Sequence, residues 1–378
     1  YNMSAKAVDA GKEIVLQEGA YPNPQSRIVE IGEGKLLAVF LTDKGDRDDI
    51  NRSELVYSIS KDNGVTWSVP VSVSDDDTWD EAPALYKVGE DKVLVTWSDA
   101  GRKYTEADDT KTVLSQLDIS GAWFDITSGT MGDEFAITQT TKDEEMADTD
   151  PMIAYDEETN RLAVYYTKTD YGETRSKLDE TAKDDIAADK NADSAEEVTT
   201  YGDIINGYNV IACRMGELKG DKIVWDAADP ELPEAYGQRF VDLGVAAVVS
   251  ESAVEVDTGK TVTVEDENGD TVERPVTETR ILSDLVIDEN SDPRVVDSDS
   301  ISYNGLSIYA YTIDRDANLE TTNDQQLYMQ IYNFREDTFH HPIQITADNL
   351  QTAKPQFVRC KGMTYLYWLH DGDIQYLN

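Results

Sequence analysis

Carboxylates are the groups with which this chain could most readily do chemistry. Asp and Glu number 76 against 33 Lys and Arg, giving a net charge of −43. Other catalytic groups are scarce. The three histidines, His340, His341 and His370, show no metal-ligand spacing. No serine and aspartate are singled out beside them, so zinc chemistry and Ser-His-Asp catalysis lack their central residue. Cys213 and Cys360 have no CxxC or Cys/His grouping; they read either as two buried thiols or as one structural disulfide. The acidic strings DKNADSAEE and DENGD read as solvated turns. The first has Ser194 where an EF-hand loop needs Gly, and it lacks the closing Glu. No metal and no cofactor is read from the sequence.

The acidic balance bears on partners. A field of this sign repels nucleic acid and anionic membrane surfaces, so neither is an expected partner. No apolar run reaches eighteen residues, so no membrane insertion is expected of this segment. The chain begins at Tyr1 and not at Met, and it reads as part of a longer protein. Its 378 residues suffice for a sizeable core in one large domain.

The elements that would hold any site come from a repeat. One phrase, a short apolar strand, a turn and a second strand alternating aliphatic and aromatic residues, occurs five times. The copies are PQSRIVEIGEGKLLAVFLTD from Pro24, EAPALYKVGEDKVLVTWSDAG from Glu81, TDPMIAYDEETNRLAVYYTKTD from Thr149, DSDSISYNGLSIYAYTID from Asp297 and AKPQFVRCKGMTYLYWLHDG from Ala353. Pro83, Pro151 and Pro355 occupy equivalent places just ahead of the first strand, where a missing N–H is harmless. Third strands follow as SELVYSIS, TVLSQLDI, YNVIACRM, QQLYMQIYN and DIQYLN, and VPVSVS and HPIQIT supply fourth strands. Four antiparallel strands per repeat predict an all-β fold, a β-propeller of four-stranded blades with five visible and a sixth possible.

KEIVLQEG at 12–19 is a short alternating strand with no partner of its own, and it is expected to close the ring as the outer strand of the last blade. Two stretches depart from the repeat. Residues 171–201 are polar and helix-permissive and read as a loop insertion. Residues 247–292 hold Asn268-Gly269 between alternating strands, so they form a hairpin that either projects or belongs to a further blade.

Residues 60–67, Ser-Lys-Asp-Asn-Gly-Val-Thr-Trp, form a turn with a mechanism. Asp62 can accept hydrogen bonds from the turn backbone, Gly64 can take positive φ, and the Trp67 ring can pack across the blade. With Ser60 and Thr66 these residues match the Asp-box pattern Ser-x-Asp-x-Gly-x-Thr-Trp. The chain thus resembles sialidases and other BNR-repeat propellers. The likeness extends over about fifty residues through Arg27-Ile28-Val29, GKLLAVF at 34–40 and the acidic loop TDKGDRDDINRSE at 42–54.

That resemblance implies a secreted or cell-surface protein whose partner is a glycan or a surface protein. By motif position Arg27 would bind a substrate carboxylate, and Asp48 or Asp49 would be the acid/base. A planar guanidinium pairs bidentately with a carboxylate. The sialidase scheme also needs two further arginines and a tyrosine with a glutamate as its base. No motif places these, although Arg294, Arg315, Arg359, Tyr309 and Tyr311 lie in or beside later blades. Val29 replaces the proline of the family's Arg-Ile-Pro phrase. Two readings follow: a binding module with an incomplete site, or an exo-sialidase or related glycoside hydrolase.

Overall fold

Short strands with period-2 alternation can bury both faces only by packing sheet against sheet, and among the described residues this chain does so at four seams between successive blades. In a computed structural model the described residues are 14–16, 18, 20, 25–47, 51–74, 76–105, 107–108, 110–139, 146–170, 208–220, 222–226, 238–240, 248–265, 271–286, 294–314, 325–347, 350–360 and 362–377. Their five small antiparallel sheets are the blades of a β-propeller. Blade one holds Ser26–Gly32, Lys35–Asp43, Ser53–Ser60 and Val71–Ser72. Blade two holds Asp80–Val88, Lys92–Asp99 and Asp118–Asp125, with outer strands Thr130–Met131 and Phe135–Ala136. Blade three holds Met146–Asp156, Arg161–Asp170 and Tyr208–Lys219, flanked by Lys222–Trp225 and Gln238–Phe240. Blade four holds Arg294–Tyr303, Leu306–Asp314 and Gln326–Asn333, flanked by Thr338–Phe339 and Ile343–Gln344. Blade five holds Thr352–Cys360, Met363–His370 and Asp373–Leu377. The first strand of every blade pairs on one edge only and turns its free edge inward.

Alternation decides which neighbour each side chain meets. On the second strand of blade two, Val93, Val95 and Trp97 pack on Leu37, Val39 and Tyr57 of blade one. Leu94, between them, packs instead on Ile153, Leu162 and Val164 of blade three. Blades three and four share a tyrosine ladder: Tyr165, Tyr309, Tyr311 and Tyr328 follow one another with ring centroids 5.0, 5.8 and 5.9 Å apart. Each such pair adds about 0.5–1.5 kcal/mol beyond the area buried. Cys213 is a buried thiol in this same cluster and forms no disulfide.

Several expectations change in detail. The third strand of blade two is Asp118–Asp125 and not TVLSQLDI, because Thr110–Leu114 winds into a helical turn. Val113 and Leu117, one helical turn apart, then pack together with Tyr104 and Ala147. The prolines stand inside the first strands, at β-bulges, and not ahead of them. The hairpin Val248–Glu265 with Thr271–Val286 is a two-stranded sheet by itself and belongs to no blade. Its Asn268-Gly269 turn and the 171–201 insertion lie outside the described residues. Of 12–19, Leu16 packs, as Trp67 does, against Ala38, Phe40 and Val56 of blade one, and the following Ala20 bridges Thr42. Among the described residues blade five has three strands, none of them from this stretch. No helix is long and apolar enough to cross a membrane among the described residues.

The Ser60–Trp67 turn joins the third and fourth strands of blade one. Asp62 organises it by accepting from the Thr66 amide at 2.8 Å and the Thr66 hydroxyl at 2.6 Å, which hold its carboxyl below the usual range. Ser60 Oγ accepts from the Gly64 amide at 2.8 Å, and Trp67 Nε1 donates to the Gly64 carbonyl at 3.1 Å. Gly64 has φ +84, and a Cβ there would stand 3.4 Å from Leu36 Cδ1. Gly64→Ala should therefore lower unfolding stability by about 1–2 kcal/mol, the cost of left-handed backbone in an L-residue. Urea titration of both proteins checks this.

Candidate functional site

The inward edges of the five first strands enclose a cavity of about 850 Å³. An edge strand leaves backbone groups unpaired, and five such edges around one cavity concentrate them where a ligand can use them. Six charged side chains line the space: Arg27 from blade one, Glu81 from blade two, Asp150 from blade three, Asp297 and Asp299 from blade four, and Lys354 from blade five. Tyr86 and Phe357 add aromatic surface, and Ser298 and Ser300 add hydroxyls.

Bulges position these groups. In blades two, three and five the register slips at Ala82-Pro83, Asp150-Pro151 and Lys354-Pro355. The residue before each proline has φ of 51, 52 and 52° respectively. Left-handed backbone at a non-glycine residue costs of order 1–3 kcal/mol, and proline hinders the residue before it further. Proline removes a donor that an edge strand does not need. The bulge re-aims the side chain beside it, as bulges at functional sites commonly do.

The electrostatics separate the carboxylates. Lys354 forms an ion pair with Asp297 through Nζ, and its amide also donates to Asp297 Oδ2 at 3.2 Å. Asp299 accepts from the Phe357 amide at 2.6 Å, so it ties blade four to blade five. Burial raises the Asp299 carboxyl against the pull of that bond. Loss of hydration in the cavity raises Asp150 too, with the charge of Asp297 adding to it and those of Arg27 and Lys354 opposing. Glu81 is pushed up to about 8, by burial first and the Asp150 charge second. One cavity thus holds a carboxyl that keeps its proton at neutral pH and an aspartate neutralised by an ammonium. That is the division of labour acid/base catalysis requires.

The sequence-derived candidates fare unequally. Arg27 lines the cavity, where its guanidinium donates to the Ser26 carbonyl at 3.1 Å and forms no salt bridge among the described residues. Asp48 and Asp49 lie outside the described residues, as does Arg315. Ser60, Asp62, Gly64, Thr66 and Trp67 form the turn described above and line no part of the cavity. Arg359 lies over the Tyr303 ring at 3.9 Å, and Tyr309 and Tyr311 are fully buried in the ladder. His370 is buried with Nδ1 3.1 Å from the Thr352 hydroxyl. Among the described lining residues Arg27 is the one arginine. Glu81, Asp150 and Asp297 were missed as site residues although they open or nearly open three of the repeat phrases. An acidic residue recurring at one place in the blade was the available signal.

The fold and cavity define a five-bladed β-propeller with a carboxylate-lined axial cavity. No family model matches the chain, and no curated protein matches it. Solved structures do. The GH93 α-L-arabinofuranosidase of Fusarium graminearum, in complex with arabinobiose, is similar at 10% identity and a TM-score of 0.43, over 93% of this chain and 72% of that one. A thermostable family-43 glycoside hydrolase is similar at 10% identity and 0.42, over 93% and 91%. The Trypanosoma rangeli sialidase in complex with the inhibitor DANA is similar at 10% and 0.36, over 91% and 52%.

A raised folded-state pKa makes Glu81 a pH-dependent liability. Between the ordinary carboxyl value of 4.5 and about 8 the folded protein holds a proton that the unfolded chain has lost, so stability falls as pH rises and levels off above about 8. Glu81→Gln removes this slope. Thermal melts across pH 5 to 9 should show the variant gaining on the wild type up to roughly pH 8 and the difference then staying constant.

Proposed function

We propose that the axial cavity binds a saccharide and hydrolyses a glycosidic bond with a pair of carboxylates. Glu81 donates its proton to the departing glycosidic oxygen. Asp297 takes a proton from the water that attacks the anomeric carbon. Asp150 raises the proton affinity of Glu81 and in turn feels the charge of Asp297. The observation carrying this reading is that carboxylates from three different first strands line one cavity, one of them pushed up to about 8 and another ion-paired. Arg27, without a salt bridge among the described residues, supplies the handle for an anionic substituent on the sugar.

A glycan-binding module is the second reading, and Lys354 favours it, because an ammonium already seated on Asp297 must move or be shared before that carboxylate can work. Assays on a panel of fluorogenic aryl glycosides, sialosides included, separate the two. Hydrolysis is expected, with kcat falling about 10²–10⁴-fold in Glu81→Gln and in Asp297→Asn. Rate should decline as pH rises through about 8, where Glu81 loses its proton. Arg27→Ala should raise KM for acidic glycosides and leave neutral ones little changed. Saccharide binding by calorimetry with no turnover of any glycoside would establish the module instead.

A further inference from the structure

A second carboxylate cluster lies away from the cavity, where blades one and two meet. Asp76 stands in the connection between the blades, Asp99 ends the second strand of blade two, and Glu134 lies between its two short outer strands. One oxygen of each falls within 4.8 Å of the others. Neutral donors steady them. Thr78 Oγ1 donates to Asp76 at 2.8 Å and lies 3.1 Å from Asp99, while Ser120 Oγ lies 2.8 Å from Glu134 and 3.1 Å from Asp99. The Gly101 amide donates to Asp99 at 3.0 Å. None of the three carboxylates forms a salt bridge with a described Lys or Arg.

An independent feature points into the cluster. Asp80 is 0% exposed, yet only its Oδ2 is satisfied, by the Leu55 amide at 2.9 Å. Its Oδ1 is buried with no hydrogen-bond partner. Asp80 is the direct cross-strand partner of Asp99, so the two carboxylates project from the same face of the sheet. A buried carboxyl with an unsatisfied oxygen beside three more carboxylates is costly unless positive charge stands among them.

We propose that Asp76, Asp99 and Glu134 bind a calcium ion, with Asp80 as the buried carboxylate behind it. The chemistry fits: all donors are hard oxygens, and the three lie close enough together to share one ion that takes its ligands at about 2.3–2.6 Å. Magnesium demands near-ideal octahedral geometry and gives up its waters reluctantly, whereas calcium accepts an irregular set of carboxylates from separate segments such as these. The ion joins the interblade connection, the second strand and the outer edge of blade two in one tether.

The test uses the full chain at pH 8, with thermal melting and calorimetric calcium titration of wild type, Asp76→Asn and Glu134→Gln. Both substituted side chains are exposed, so the variants are expected to fold. In EDTA the variants should melt above wild type, because each removes one repelling charge. In millimolar Ca²⁺ the order should invert, with the wild type binding one tight equivalent and each variant binding it roughly tenfold or more weakly. Equal calcium responses in all three proteins would report diffuse binding to the acidic surface and overturn the site. Equal responses of the wild type to Ca²⁺ and Mg²⁺ would overturn its assignment to calcium, and no response to either would overturn the site altogether.

Discussion

Each blade's first strand has one edge that nothing in its own sheet can satisfy, and the rest of the structure answers that constraint. In an open sheet such an edge invites aggregation. Here five of them face one another across an axis, and the space between is the cavity. Regular pairing would carry every side chain to one neighbouring blade or the other and leave only backbone at the axis. The bulges at Ala82-Pro83, Asp150-Pro151 and Lys354-Pro355 break that regularity at the level of the cavity. The strain of positive φ at these residues is tolerated because interblade packing over-determines the strands, as with Met152 and Ile153, which follow Pro151 and enter two different clusters.

How much of this was legible follows from how local each cause is. The blades could be read because their hairpins are built from neighbours in sequence, with turn residues such as Asn304-Gly305 between alternating strands, Gly305 at φ 79°. The third strand of blade two could not, because Gly121 weakens it as a strand by propensity. Its suitability is tertiary: a Cβ at Gly121 would stand 2.9 Å from Ile137 Cδ1, so the position is small to let an outer strand close over it. The Ser60–Trp67 turn was legible in full, since its hydrogen bonds span four residues or fewer.

The cavity was legible only in part. Arg27 was found through a phrase of the first blade, whereas Glu81, Asp150 and Asp297 lie in phrases whose apolar residues carried the reading. In a chain with 76 acidic residues a single carboxylate has no signal against its background. What distinguishes these is that they line one cavity, and that cavity is created by blades far apart in sequence. The same holds for Asp76, Asp99 and Glu134, which only the folded second blade assembles.

The start of one strand links the two carboxylate groups. Asp80 and Glu81 are consecutive residues of the first strand of blade two, and consecutive strand residues face opposite sides. Asp80 pairs with Asp99 and accepts from the Leu55 amide of blade one, so it faces backward to the interblade cluster. Glu81 pairs with Ser98, whose hydroxyl accepts from the Asp150 amide of blade three, so it faces forward to the cavity. A one-residue slip of this strand would exchange them, placing the cavity's acid against the cluster and the unsatisfied Asp80 in the cavity. Whatever fixes the register of Asp80 therefore also fixes the aim of Glu81. A tether at the interblade cluster would hold Glu81 in place without touching it.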